Sequence, residues 1–108
     1  MSHDRLKRLL EFYSEDPDDP FNIYALANEY KNSDPQKALD YFEILLKNHP
    51  NYIATYYHLA HLYLDIGAEE KAKDVFERGI DVAAAKNENF ALRELKSAYD
   101  EFMMDYWY

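Results

Sequence analysis

The sequence predicts an all-α chain, an α-solenoid of about six helices folded into antiparallel hairpins. Three observations predict it. Apolar residues recur at spacings of three and four along most of the chain, and no segment sustains the period-two alternation of a strand. Punctuation is sparse, with 2 Gly and 4 Pro in 108 residues, which suits helices better than many short strands. One block of residues also occurs twice. Ile23, Leu26, Ala27, Tyr30, Ala38, Phe42 and Leu45 return in the same order as Tyr56, Leu59, Ala60, Tyr63, Ala72, Phe76 and Gly79. The offset is 33 residues from Leu26 to Leu59 and 34 from Phe42 to Phe76. A helix pair repeated at that period cannot bury its apolar face alone, so its copies stack.

The elements follow in order. Leu6, Leu9, Leu10 and Tyr13 mark a first amphipathic helix over Asp4 to Tyr13. The acidic run from Ser14 to Asp19 is a turn. It ends with Asp19 as a cap and Pro20 at the first helical position, where its missing N–H costs nothing. A helix runs from Pro20 to about Lys31. Ser33-Asp34-Pro35 repeats the start signal, and the next helix, to about Lys47, buries Ala38, Leu39, Phe42, Leu45 and Leu46. His49-Pro50-Asn51 stops it. Tyr52 to Asp65 is helical and ends at Gly67, a natural left-handed cap. Glu69 to Ala85 follows, with acidic residues in its first turn, where the helix dipole favours them. Asn87 and Asn89 are candidate caps for a last helix carrying Leu92, Leu95, Tyr99, Phe102 and Tyr106.

Composition narrows the function. Lys plus Arg number 12 and Asp plus Glu 21, a net charge of −9. That surplus argues against nucleic acid and against anionic membrane surfaces, both of which are held by Lys and Arg. There are no Cys, which excludes disulfides, thiolate metal sites and a Cys nucleophile. No apolar run is long enough to span a bilayer, and Met1 to Arg8 lacks the apolar core of a signal peptide. A cytoplasmic location is expected. No phosphate-binding loop, Ser-nucleophile motif or His-Glu metalloprotease motif occurs, so a non-catalytic chain without cofactor is expected.

The doubled block resembles the tetratricopeptide repeat, whose pattern runs aromatic, Leu, small residue, Tyr, then Ala, Phe and Pro. The second copy matches at Tyr56, Leu59, Ala60, Tyr63, Gly67, Ala72 and Phe76, and has Ala84 in place of the closing Pro. The first matches at Leu26, Ala27, Tyr30, Ala38, Phe42 and Pro50. Its turn is one residue short, and Ile23 stands where an aromatic is commonest. The resemblance covers residues 20–86 well and the flanking helices weakly. It implies a single domain over 1–108, in a right-handed superhelical array. A capping helix (1–16) precedes repeat one (20–52) and repeat two (53–86), and a second capping helix (88–108) closes the array. The small residues Ala27, Ala38, Ala60 and Ala72 let paired helices approach, while Tyr30, Phe42, Tyr63 and Phe76 fill the wedge between hairpins. Leu9 and Phe12 would supply the core of the first capping helix.

In this family the first helices of the repeats line a concave groove that usually binds a peptide or protein. An adaptor or scaffold is therefore implied. Projected here, that face carries Phe21, Tyr24, Asn28 and Lys31, then Ala54, Tyr57, His61, Leu64 and Asp65 with His58 at the edge, then Phe90, Arg93, Ser97 and Asp100. Members that clamp the carboxylate of chaperone tails use a Lys-Asn-Asn-Lys-Arg set, of which only Asn28 is present. His58 and His61 stand three apart on one helical face, a spacing that suits a metal, but only Asp65 lies near in sequence. They are read as groove residues, with no metal. The alternative to groove binding is homodimerisation through the apolar C-terminal stretch, with Met103, Tyr106 and Trp107 as the residues left over after the end of the stack is sealed.

Overall fold

The computed structural model describes residues 2–107. Among them are six α-helices: α1 (Ser2–Glu15), α2 (Pro20–Tyr30), α3 (Pro35–Asn48), α4 (Ala54–Asp65), α5 (Glu69–Ala85) and α6 (Asn89–Tyr106). No strand occurs among the described residues. The chain forms two compact units, Met1–Tyr52 and Ile53–Tyr108. In the first, α2 packs on α3 and α1 on α2. In the second, α5 packs on both α4 and α6, and α4 also touches α6. The connections inside each unit are three or four residues long, too short for anything but an antiparallel return.

The starts of α2 and α3 follow the local chemistry. An Asp19 carboxylate oxygen accepts from the Phe21 N–H at 2.9 Å, and one of Asp34 accepts from the Lys37 N–H at 3.2 Å. Each satisfies a donor that the helix itself leaves unpaired. Gly67 closes α4 at φ +79. Its N–H reaches the Leu64 carbonyl and the Ala68 N–H reaches the Tyr63 carbonyl, the paired bonds of a Schellman end.

The start of α6 departs from expectation. Asn87 does not cap it; it adopts φ +57 and ends α5. The Asn87 N–H reaches Ala84 and the Glu88 N–H reaches Ala83. The same motif that Gly67 supplies is thus built on an Asn, one of the few other residues that tolerate this conformation. Asn89 is already inside α6, and Glu88 holds the cap position without a side-chain bond.

Three further expectations are corrected. The fourth helix starts at Ala54, because Tyr52 is held in the preceding turn by its N–H to the His49 carbonyl. Phe12 does not join the core: it is 53% exposed. Leu6, Leu9 and Tyr13 form the inward stripe of α1, and Phe12 and Leu10 fall on its flanks. Leu39 and Leu46 are half-buried beside the fully buried Ala38, Phe42 and Leu45.

The core of the first unit is Ile23, Leu26, Ala27, Tyr30, Ala38, Phe42 and Leu45. The outer end of α1 is fixed by a residue that periodicity does not reveal. Asn22 Nδ2 donates to the carbonyls of Phe12 and Asp16, both at 3.1 Å. In the second unit Tyr56, Leu59, Ala60, Leu62, Tyr63, Ala72, Val75 and Phe76 are buried with Leu95 and Phe102. Tyr99 Oη donates to Glu77 at 2.6 Å and ties α6 to α5.

Candidate functional site

The faces of α2, α4 and α6 left free by core packing carry open cavities, and each unit has its own. In the first unit a cavity of about 920 Å³ lies beside α1 and α2. All four residues projected for that face line it: Phe21, Tyr24, Asn28 and Lys31. The local reason is helical spacing. Ile23, Leu26, Ala27 and Tyr30 turn into the core, so the interleaved residues turn out. Phe21 is 58% exposed, which leaves more than half of it open to solvent. Tyr24 rests against Tyr52, ring centroids 5.8 Å apart. Burial raises the Tyr52 phenol above its ordinary pKa, and nearby Tyr24 and Asp19 add to the shift, so its hydroxyl stays neutral and able to donate.

Sequence reasoning missed the charged pair at this wall. Arg5 Nε donates to Glu29 Oε1 at 2.8 Å, and Nη2 reaches Oε2 at 3.4 Å. The hydrogen bond to Glu29, and then its charge, raise the Arg5 pKa. Their separation of 24 residues hides the pair from any helical pattern.

Two cavities of the second unit are lined by described residues. One, of about 590 Å³, lies between α4 and α6 and is lined by Tyr57, His61, Leu64 and Asp65 from α4 and by Arg93 and Ser97 from α6, among others. A smaller one, about 250 Å³, is lined by Tyr57 and His58 with Ile53, Ala54, Ala91, Glu94 and Leu95. Tyr57 therefore stands between the two. Its ring meets His61 at 4.4 Å, and His61 in turn meets the buried Phe76 edge-on at 5.7 Å. His61 thus packs on the core as well as lining the cavity. His58 faces the smaller cavity, so the two histidines do not share one.

On α6 the cavity stripe differs from the projected one. Arg93 and Ser97 line the larger cavity as projected, but the residues that accompany them are Glu94, Ala98, Glu101 and Asp105. Neither Phe90 nor Asp100 is part of it. Stepping back three and on by four from Ser97 reaches Glu94 and Glu101, so helical spacing carried the signal. At the end of α6, Met103 is half-buried while Met104 is 70% exposed. Tyr106 is 50% and Trp107 42% exposed, and Lys73 Nζ sits 5.1 Å from the Trp107 ring centre.

No group of three His, Asp or Glu side chains among the described residues converges as metal ligands would. No described helix is long and apolar enough to cross a membrane.

Comparison with known proteins follows the same lines. The family model described as tetratricopeptide repeat matches residues 29–95. A solution structure of a tetratricopeptide repeat domain protein from Salinibacter ruber is similar, at 40% identity over 81% of this chain and 89% of that one, with a TM-score of 0.76. A crystal structure of a tetratricopeptide repeat domain protein from the same organism gives 39% identity, 78% and 94% coverage and a TM-score of 0.74. A crystal structure of MamA shares the fold at 20% identity, covering 96% of this chain and 67% of that one, with a TM-score of 0.70. Among curated proteins no sequence match is found.

Proposed function

The chain belongs to the tetratricopeptide repeat family, and from this premise we propose that it is a non-catalytic adaptor holding a peptide or protein segment on a cavity-bearing helix face, that of α2 in the first unit or of α4 and α6 in the second. Tetratricopeptide repeats generally mediate protein–protein interaction. The observation that carries the finer reading is the lining of the open cavities. Aromatic anchors (Phe21, Tyr24, Tyr57) stand beside hydrogen-bonding groups (Asn28, Lys31, His58, His61, Asp65, Arg93) around these cavities. Tyr and Arg are the residue types that dominate binding hot spots, and they act where a partner excludes water.

Affinity capture from the native host tests this. The variant Tyr57→Ala/His58→Ala is expected to lose a protein that the wild-type chain retains, with its helical circular dichroism unchanged. Truncating two anchors of this kind costs about 2 kcal/mol or more, a loss of at least thirtyfold in affinity. Retention of the same proteins by wild type and variant would remove this face from consideration.

The end of α6 favours a second reading, homodimerisation. Met104, Tyr106 and Trp107 are all exposed large apolar side chains at this end of the chain, and monomers seldom expose large contiguous patches. Sedimentation at rising concentration is expected to show a dimer that Met104→Ser/Trp107→Ser abolishes. A wild-type monomer throughout the range would end this reading.

A further inference from the structure

We propose that the larger cavity of the second unit receives a Lys or Arg side chain of the bound peptide, which makes the partner segment basic. The inference rests on the protein-binding reading above and names the chemistry of the segment.

Charge is the first argument. Asp65, Glu94, Glu101 and Asp105 line this cavity against a single Arg93. None of the four carboxylates is ion-paired or hydrogen-bonded through its side chain among the described residues. The cavity of the first unit is different: there Arg5 and Lys31 face Glu29, and Glu29 is already bonded to Arg5. The acidic lining is therefore not a uniform consequence of the net charge of −9.

The walls add two further terms of the same sign. Asp65 is the last residue of α4, so the negative end of the helix dipole opens at the cavity. Tyr57, Phe102 and Tyr106 also line it, and aromatic faces attract a cation, more strongly once water is excluded.

Size and spacing then select the kind of cation. The carboxylates do not converge on a point as metal ligands would. They are spread over α6 at helical spacing and across to α4, around a space of about 590 Å³. A guanidinium or ammonium on an alkyl stem fits that arrangement. Its stem can lie along the rings while its N–H groups reach separate carboxylates in charge-assisted bonds.

Fluorescence anisotropy tests the proposal with a short labelled peptide of Arg residues spaced by Gly and Ser. The same peptide with Gln for Arg is the control. Saturable binding of the Arg peptide is expected, and Glu94→Gln/Glu101→Gln should weaken it by about tenfold or more. Glu11→Gln/Glu15→Gln changes the net charge equally at exposed positions of α1 that do not line the cavity and should weaken it less than about twofold, since exposed charges away from the site are screened at physiological salt. Equal losses in the two variants would reduce the effect to net charge and overturn the proposal. So would equal binding of the Gln peptide, or no saturable binding. A captured partner that depends on Tyr57 yet is retained by Glu94→Gln/Glu101→Gln would sink the basic-segment proposal alone and leave the protein-binding reading standing.

Discussion

Phe76→Ala is expected to destabilise the second unit by about 3–5 kcal/mol, the usual cost of emptying a fully buried aromatic site. Phe76 is fully buried and joins three helices at once. From α5 it meets His61 of α4 at 5.7 Å, and Tyr99 and Phe102 of α6 at 6.1 and 5.8 Å. Removing the ring leaves a void that cannot collapse without moving α4 or α6, because both are tied to α5 elsewhere. The only tryptophan, Trp107, belongs to this unit, so its fluorescence reports the loss directly. A urea titration should show the midpoint shifted down, with total stabilities of small domains lying in the range of about 5–15 kcal/mol. Phe42→Ala, at the equivalent buried place in the first unit, should cost a similar amount. A loss below about 1 kcal/mol at Phe76 would contradict the packing described.

The next largest effect belongs to the smallest side chain. Gly79→Ala in the middle of α5 is expected to destabilise by about 1–2 kcal/mol, although Ala in place of Gly ordinarily favours a helix by about 1 kcal/mol. A Cβ at Gly79 would lie 2.5 Å from Tyr56 Cβ and 2.8 Å from its Cγ. Those atoms are the root of a buried side chain, not a mobile tip, so α4 and α5 would have to separate, and overpacking of this kind costs about 1–3 kcal/mol or more. The first unit solves the same packing differently. There Ile23 and Leu45 occupy the corresponding places of the repeat, both buried: two medium side chains where the second unit pairs one large with none. The approach at Gly79 also sets the position of α4, and with it the cavity face of Tyr57. Thermal unfolding measures the effect, and an unchanged or raised midpoint would show that the close approach is not a constraint.

Much of this fold was legible because the informative residues are repeated. Every residue of the doubled block, from Ile23 to Leu45 and from Tyr56 to Gly79, is buried, and the caps at Asp19 and Asp34 act as their sequence context predicts. What escaped was chemistry without a period. Asn87 carries a left-handed turn as Gly67 does, yet reads equally well as a helix cap. The Asn22 and Arg5–Glu29 contacts depend on how helices lie against each other. Phe12 was misplaced because the face of a lone amphipathic helix is uncertain by one or two positions when Leu9, Leu10, Phe12 and Tyr13 are all apolar. On α6 the same rotation selects Asp100 in place of Glu101, so the acidic side of the cavity is not legible in the sequence.

Cavity residues, and not the repeat core, are expected to hold the protein partner. Comparative affinity capture tests this, with the wild-type chain set beside Phe21→Ala/Tyr24→Ala and Tyr57→Ala/His58→Ala. At least one folded variant is expected to lose a specific protein that the wild type retains. Identical retained proteins in all three, with helical content intact, would contradict it.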